Sequence, residues 1–148
     1  GLRLMTISLD IGGASYAADS MWNAACKLAC PVFAPLAEIR MEELYRLAGL
    51  YPNVPVIVTD FHYRDVGSLV TLLAQRPNLY LETSGCRGFG SIEMICRSLG
   101  VGRLVFGSRY PLFDMGSAKT MIMLAAISPH EKERIASENI RDICWVAE

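Results

Sequence analysis

Two phrases in the chain, "YPNVPVIV" from Tyr51 and "RPNLYLE" from Arg76, are built alike. Each stops a helix with Pro-Asn and passes at once into a short apolar run. Proline cannot continue a helix, and it pushes the residue before it toward extended backbone. The phrase therefore converts helix to strand. The same alternation runs along the whole chain, with apolar runs at Leu4–Leu9, Val32–Leu36, Val56–Thr59, Leu79–Ser84 and Leu104–Phe106. Between them apolar residues recur at helical spacing: Met21, Ala25, Leu28; Met41, Leu44, Ala48; Val66, Leu69, Val70, Leu73; Ile92, Ile95, Cys96, Leu99; Ala118, Met121, Ile122, Ala125. Pro52, Pro77 and Gly100 mark helix ends. A last helix opens at "SPHEKERI", where Ser128 as N-cap, Pro129 at the first position and Glu131 at the third make a capping box.

Strand and helix in alternation imply an α/β fold with parallel strands covered by helices. An open doubly wound sheet and consecutive units of a (β/α) barrel both satisfy that pattern. In either, ligands bind at the carboxyl ends of the strands. The glycine fingerprints that cradle phosphate are missing, since "DIGGASYAADS" contains neither G-x-G-x-x-G nor GK[ST]. A nucleotide-binding sheet is thereby disfavoured.

Composition narrows the function classes. No linker divides the 148 residues, so residues 1–148 are expected to form a single domain. No apolar run approaches the ~20 residues of a membrane-spanning helix, and the opening segment is too short for a signal peptide. The net charge of −1 gives no basic field to recruit nucleic acid or an anionic membrane. A cytoplasmic protein acting on a small molecule is the expectation. Gly1 at the start hints at a processed, trimmed or incomplete chain. Five cysteines without a CxxC or Cys/His zinc pattern read as small core residues of a reducing compartment. Cys26 and Cys30 could share a helix face, and Cys86, in a polar loop, is the best candidate for reactivity.

Polar side chains gather where the strands end, in "APLAEIR", "TDFHYRD", "ETSGCRGFG" and "GSRYP", and these segments should converge on one rim. Asp60 and His62 stand i, i+2, so an extended strand end would point both to one side. They could be an orienting carboxylate with a general base, or two metal ligands; a loop histidine satisfied by backbone is the plain alternative. Glu82, on an apolar strand, would need a partner such as Arg64, Arg87 or Arg109. Asp65 and Arg64 should start a helix, and Glu38 and Arg40 should be solvated. Tyr110 and Phe113 could wall a pocket. Trp22 and Trp145 read as core, and His130 as an exposed first-turn residue.

The stretch "NLYLETSGCRG…IEMICRSLGVGRLVFGSRYPLFDMGSA…ISPHEKERIASENIRDI" resembles the final units of the amidohydrolase-related family of metal-dependent hydrolases and decarboxylases. "PVFAPLAEIR" and "YPNVPVIVTDFHYRD" resemble two earlier strands of the same (β/α)8 barrel. The likeness implies roughly the last five of eight TIM-barrel units, since a whole barrel takes ~250 residues. Asn139 resembles the family's helical Asn. The likeness also marks departures. The family's last strand ordinarily ends Gly-Ser/Thr-Asp, and this chain has Arg109 there. Pro35 and Asp60 stand where the family commonly has His, and the first strand's His-x-His pair has no counterpart.

Arginine cannot ligate a divalent cation but can take over its positive charge and grip a carboxylate. The resemblance therefore implies a hydrolase of a small carboxylated ester, lactone or amide whose usual metal ligands are largely replaced. His62, Asp60 and Arg109 would be catalytic, with Arg64, Glu82, Arg87 and Tyr110 binding substrate. No metal is expected; the fallback is a divalent ion such as zinc on Asp60 and His62. A metal-dependent hydrolase or decarboxylase with rearranged ligands, and a non-catalytic barrel relative, are the alternatives. Five barrel units would leave Leu4–Leu9 and Leu104–Phe106 as unpaired edges, so a homo-oligomer or a longer chain is expected.

Overall fold

The computed structural model describes residues 2–3 and 15–144, with side chains from Ser20 to Cys144. Five parallel strands lie in sequential order: β1 (Leu2–Arg3), β2 (Val32–Pro35), β3 (Val56–Thr59), β4 (Leu79–Glu82) and β5 (Leu104–Val105). The register runs Val32↔Val56↔Leu79 and Leu81↔Leu104. Among the described strands the order never reverses, which is barrel-like winding and not the doubly wound pattern. The expected strand at Leu4–Leu9 lies outside the described residues.

Alternation along each strand splits the apolar residues between two faces. Val32, Ala34, Val56, Val58, Leu79, Leu81 and Leu104 join the main core. Most of its other members come from α1 (Ser15–Lys27), α2 (Met41–Leu50), α3 (Val66–Gln75), α4 (Ser91–Leu99) and α5 (Met115–Leu124). Trp22 of α1 is fully buried there and stacks on Tyr51 with ring centroids 5.6 Å apart. Trp145 lies outside the described residues.

Ile57 and Val105 face the opposite way, with Phe33 and Tyr80 beside them. That inner face is not left bare. The expected last helix is built as α6 (Pro129–Glu133), a π turn (Arg134–Glu138) and α7 (Asn139–Cys144), and α7 lays Ile140 and Ile143 on it. Ser128 and Glu131 form the expected capping box, and His130 is exposed.

Buried amides tie these elements together. Asn139 donates to the Val101 carbonyl at 2.9 Å and the Leu104 carbonyl at 2.7 Å, so α7 is stitched to the start of β5. The Ile135 carbonyl in the π turn accepts the Phe106 N–H at 3.0 Å. Asn78, in the second Pro-Asn phrase, donates to the carbonyls of Ala48, Tyr51 and Val54. Its counterpart Asn53 is exposed. Arg103 donates to the Leu73 and Arg76 carbonyls, closing the carboxyl end of α3.

The cysteines depart from expectation in two ways. Cys26 and Cys144 are exposed, and Cys30 lies beyond the end of α1, so the shared helix face is not built. Cys86 is buried, and desolvation pushes its thiol up to about 12. A thiol held that far from ionisation is a poor nucleophile, which removes the reactivity expected of it. Glu38 is half-buried and not a solvated helix-opening residue.

Candidate functional site at the carboxyl ends of the strands

Each strand delivers its polar residue by ending. Asp60 follows β3 directly, Glu82 closes β4, and β5 leads through Phe106 and Gly107 to Ser108 and Arg109. β4 lies between β3 and β5. Arg109 nonetheless reaches Asp60: its Nε lies 2.8 Å from Asp60 Oδ1, with the side chains 31% and 15% exposed. Both residues hold a left-handed backbone with φ of 54°. That conformation crowds Cβ against the following carbonyl in any residue but glycine.

The left-handed Asp60 explains why the expected Asp60–His62 couple is absent. Residues i and i+2 share a side only while the chain stays extended. β3 stops at Thr59, and Asp60 turns the chain out of that register. Asp60 turns to Arg109, while His62 caps the short turn Tyr63–Asp65: its Nδ1 accepts the Arg64 N–H at 3.3 Å, and Asp65 accepts the His62 N–H at 3.1 Å. His62 is exposed and packs on Tyr63. The plain alternative, a loop histidine satisfied by backbone, describes it. Arg64 is exposed as well, with its guanidinium over the Tyr63 ring at 5.7 Å.

Glu82 also departs from expectation. No cation lies in ion-pair range of it among the described residues, and its partner is Ser84. Oε2 accepts the Ser84 hydroxyl at 2.5 Å and Oε1 accepts the Ser84 N–H at 3.2 Å. Burial raises its pKa above the ordinary 4.5, with the nearby Asp60 charge adding to the rise; the Ser84 bonds and Arg109 partly oppose it. The carboxyl lies against Gly107, where any added Cβ would overlap Glu82 Oε1. Thr83 fixes that segment, accepting the Gly107 N–H at 3.1 Å and donating to its carbonyl at 3.3 Å.

Two guanidiniums share one aromatic ring. Arg87 lies 3.8 Å from the Phe113 centroid and Arg109 5.2 Å from it. Arg87 donates to the Ser84 carbonyl at 3.1 Å and has no carboxylate in ion-pair range among the described residues. Tyr110, 68% exposed, stands beside them and donates its N–H to Ser108 Oγ. The rim therefore gathers Asp60, Glu82, Arg87, Arg109 and Phe113, and the described contacts of His62 and Arg64 stay on their own turn. Gly107 is the participant that residue types did not reveal, its lone signal being the glycine that breaks "VFGSRYP"; Phe113, expected as a possible wall, supplies the ring on which Arg87 and Arg109 lie.

These donors do not fit the divalent ion that the family resemblance implies. Asp60 is already paired with a guanidinium, Pro35 brings no donor side chain, and both Glu82 oxygens are engaged by Ser84. Among the described residues no group of three or more His, Cys, Asp or Glu could hold a metal.

The family model described as amidohydrolase matches residues 4–143. Among solved structures, an uncharacterised TIM-barrel protein from Bordetella bronchiseptica aligns with a TM-score of 0.71 at 19% identity, over 84% of this chain and 48% of that one. A 2,6-dihydroxybenzoate decarboxylase in complex with 2,6-dihydroxybenzoate aligns at 0.61 and 15% identity, over 82% and 53%. A dihydroxybenzoic acid decarboxylase from Polaromonas sp. JS666, with bound manganese and the inhibitor 2-nitroresorcinol, aligns at 0.58 and 16%, over 82% and 52%. The chain thus spans about half the length of these structures. No curated protein matches it.

Proposed function

Because this chain belongs to the amidohydrolase family, we propose that it serves a hydrolase of a small carboxylated ester, lactone or amide, in which fixed guanidiniums replace the customary metal. The observation that carries this reading is the Asp60–Arg109 pair at the strand ends, with Arg87 held on the same Phe113 ring. Asp60 aims and partly neutralises Arg109, while Arg87 carries a charge that no described carboxylate offsets. Two planar forks on one aromatic wall suit a substrate with an anionic oxygen at one end and a carbonyl that gains charge on attack. Tyr110 would close the outer side. His62 and Arg64 have no part in this version, because their described contacts lie on their own turn.

The test is turnover of a panel of carboxylated esters, lactones and amides after chelation, with elemental analysis of the same sample. Activity without metal, lost in Arg87→Met and Arg109→Met, supports the proposal. Stoichiometric zinc or manganese that activity follows on removal and return would sink it.

Likeness to two decarboxylases supports a second reading, a decarboxylase that uses the same cations to hold the departing carboxylate. Release of labelled carbon dioxide from a carboxyl-labelled aromatic acid separates the two, because hydrolysis leaves that carboxyl intact.

A further inference from the structure

We propose that Glu82 is the catalytic residue that transfers the proton, with Ser84 as its positioning residue; the inference rests on the hydrolase reading above. Its place supports the role. Glu82 closes the strand between the two that present Asp60 and Arg109, and it lies near enough to feel both of their charges.

The sequence makes room for this carboxyl. Gly107 leaves open the space that a Cβ would take from Glu82 Oε1, and Thr83 pins Gly107 from both its N–H and its carbonyl. Ser84 then grips both oxygens from one side, which fixes the plane of the group. A carboxylate has about four lone-pair sites, and Ser84 uses two. With 8% exposure and no cation in ion-pair range among the described residues, Glu82 is not locked into a structural ion pair. Among the described residues, the charged or titratable groups bearing on it are Asp60 after β3, Arg109 after β5 and the Cys86 thiol of its own loop. Burial keeps the carboxyl closer to neutrality than an exposed glutamate, which suits an acid–base group.

The step balances as follows. The Glu82 carboxylate takes a proton from water as the water oxygen bonds to the substrate carbonyl carbon, and Arg87 and Arg109 face the oxygen that becomes negative. The carbon–oxygen or carbon–nitrogen bond to the leaving group then breaks, and Glu82 returns its proton to that group. One water is added, giving an acid and an alcohol or amine.

The experiment is carbon-13 carboxyl NMR of the full chain labelled in glutamate, titrated with and without benzoate as the anionic probe. Glu82→Gln, which preserves shape and keeps one acceptor oxygen for Ser84, assigns the signal. The expected Glu82 signal titrates above 4.5 and moves further upward when benzoate occupies the guanidiniums, because a second anion disfavours ionisation. Titration at the ordinary value, or benzoate that binds without moving it, overturns the role of Glu82 and leaves the anion site standing. If benzoate fails to bind, or binds equally well to Arg87→Met and Arg109→Met, the hydrolase reading fails first and the proposal with it. In turnover, Glu82→Gln should lower kcat about 100-fold or more at little change in KM. A variant that keeps wild-type kcat and pH profile also overturns the proposal.

Discussion

Arg109 Nε and Asp60 Oδ1 lie 2.8 Å apart across the end of an intervening strand, and both residues adopt φ of 54°. Two non-glycine residues in left-handed backbone, joined by one ion pair, cost conformational energy that the pairing and the surrounding packing must offset. In the amidohydrolase pattern the corresponding strand ends commonly carry His and Asp. Here the acid stands after β3 and a fixed cation after β5, and the two attract across the rim.

The backbone and charge contributions of Asp60 should separate by substitution. Asp60→Gly and Asp60→Ala both remove the carboxylate, but only glycine relieves the left-handed strain. Urea denaturation should find Asp60→Gly more stable than Asp60→Ala by about 1 kcal/mol. A double-mutant cycle with Asp60→Asn and Arg109→Met should give a coupling of about 1 kcal/mol, above that of a fully exposed pair. Equal stabilities and no coupling would remove the structural basis for the pair.

Gly107→Ala should be severely destabilising, by about 2–3 kcal/mol, because the new methyl overlaps the Glu82 carboxyl. Truncating the obstacle should rescue it: Gly107→Ala with Glu82→Ala is expected to unfold at a higher temperature than Gly107→Ala alone. Thermal melts of the four proteins decide, and simple additivity would contradict the packing described.

The raised pKa of Glu82 fixes the sign of its pH effect. Its folded pKa lies above the ordinary 4.5 of the unfolded chain, so the stability it confers is full below about 4.5 and is lost as pH rises through the folded pKa. Glu82→Gln cannot ionise and should escape that loss. Its stability relative to wild type should therefore improve as pH rises from 4.5 toward neutrality. Denaturation midpoints at several pH values check this, and parallel curves would contradict the raised pKa.

Cysteine labelling should sort by burial and not by loop position. Cys26 and Cys144 are exposed, while Cys86 is buried with its thiol held up to about 12. Brief iodoacetamide treatment followed by peptide mass mapping should modify Cys26 and Cys144 first, and Cys86 only after denaturant. Rapid native labelling of Cys86 would overturn its placement.

Large apolar residues left exposed after β5 and along α5 predict self-association. Tyr110 is 68% exposed, Leu112 76%, Met123 67% and Leu124 79%. Apolar side chains of this size at the surface invite another chain. Sedimentation velocity of this chain should show concentration-dependent dimers or larger species. A monodisperse monomer throughout would remove that expectation.

Much of the fold was legible because it depends on local chemistry. The Pro-Asn phrases set where α2 and α3 give way to β3 and β4, and short apolar runs such as Val56–Thr59 marked strands buried on both faces. Ser128, Pro129 and Glu131 declared the start of α6 through contacts within one turn. The choice of barrel winding over a doubly wound sheet needed the strand order, which no local pattern carries. At the rim, the sequence alone identified Asp60, Glu82, Arg87 and Arg109 as polar residues at strand ends, since strands that stop must display something there. Tertiary structure decided their partners. Asp60 left the strand register through its left-handed backbone and met Arg109, not His62. Glu82, expected to face a cation, was left to Ser84 because Gly107 let it pack against neighbouring backbone. Pairings between segments far apart in the chain depend on backbone angles and on the space left by a missing Cβ, and residue types in order do not encode either one directly.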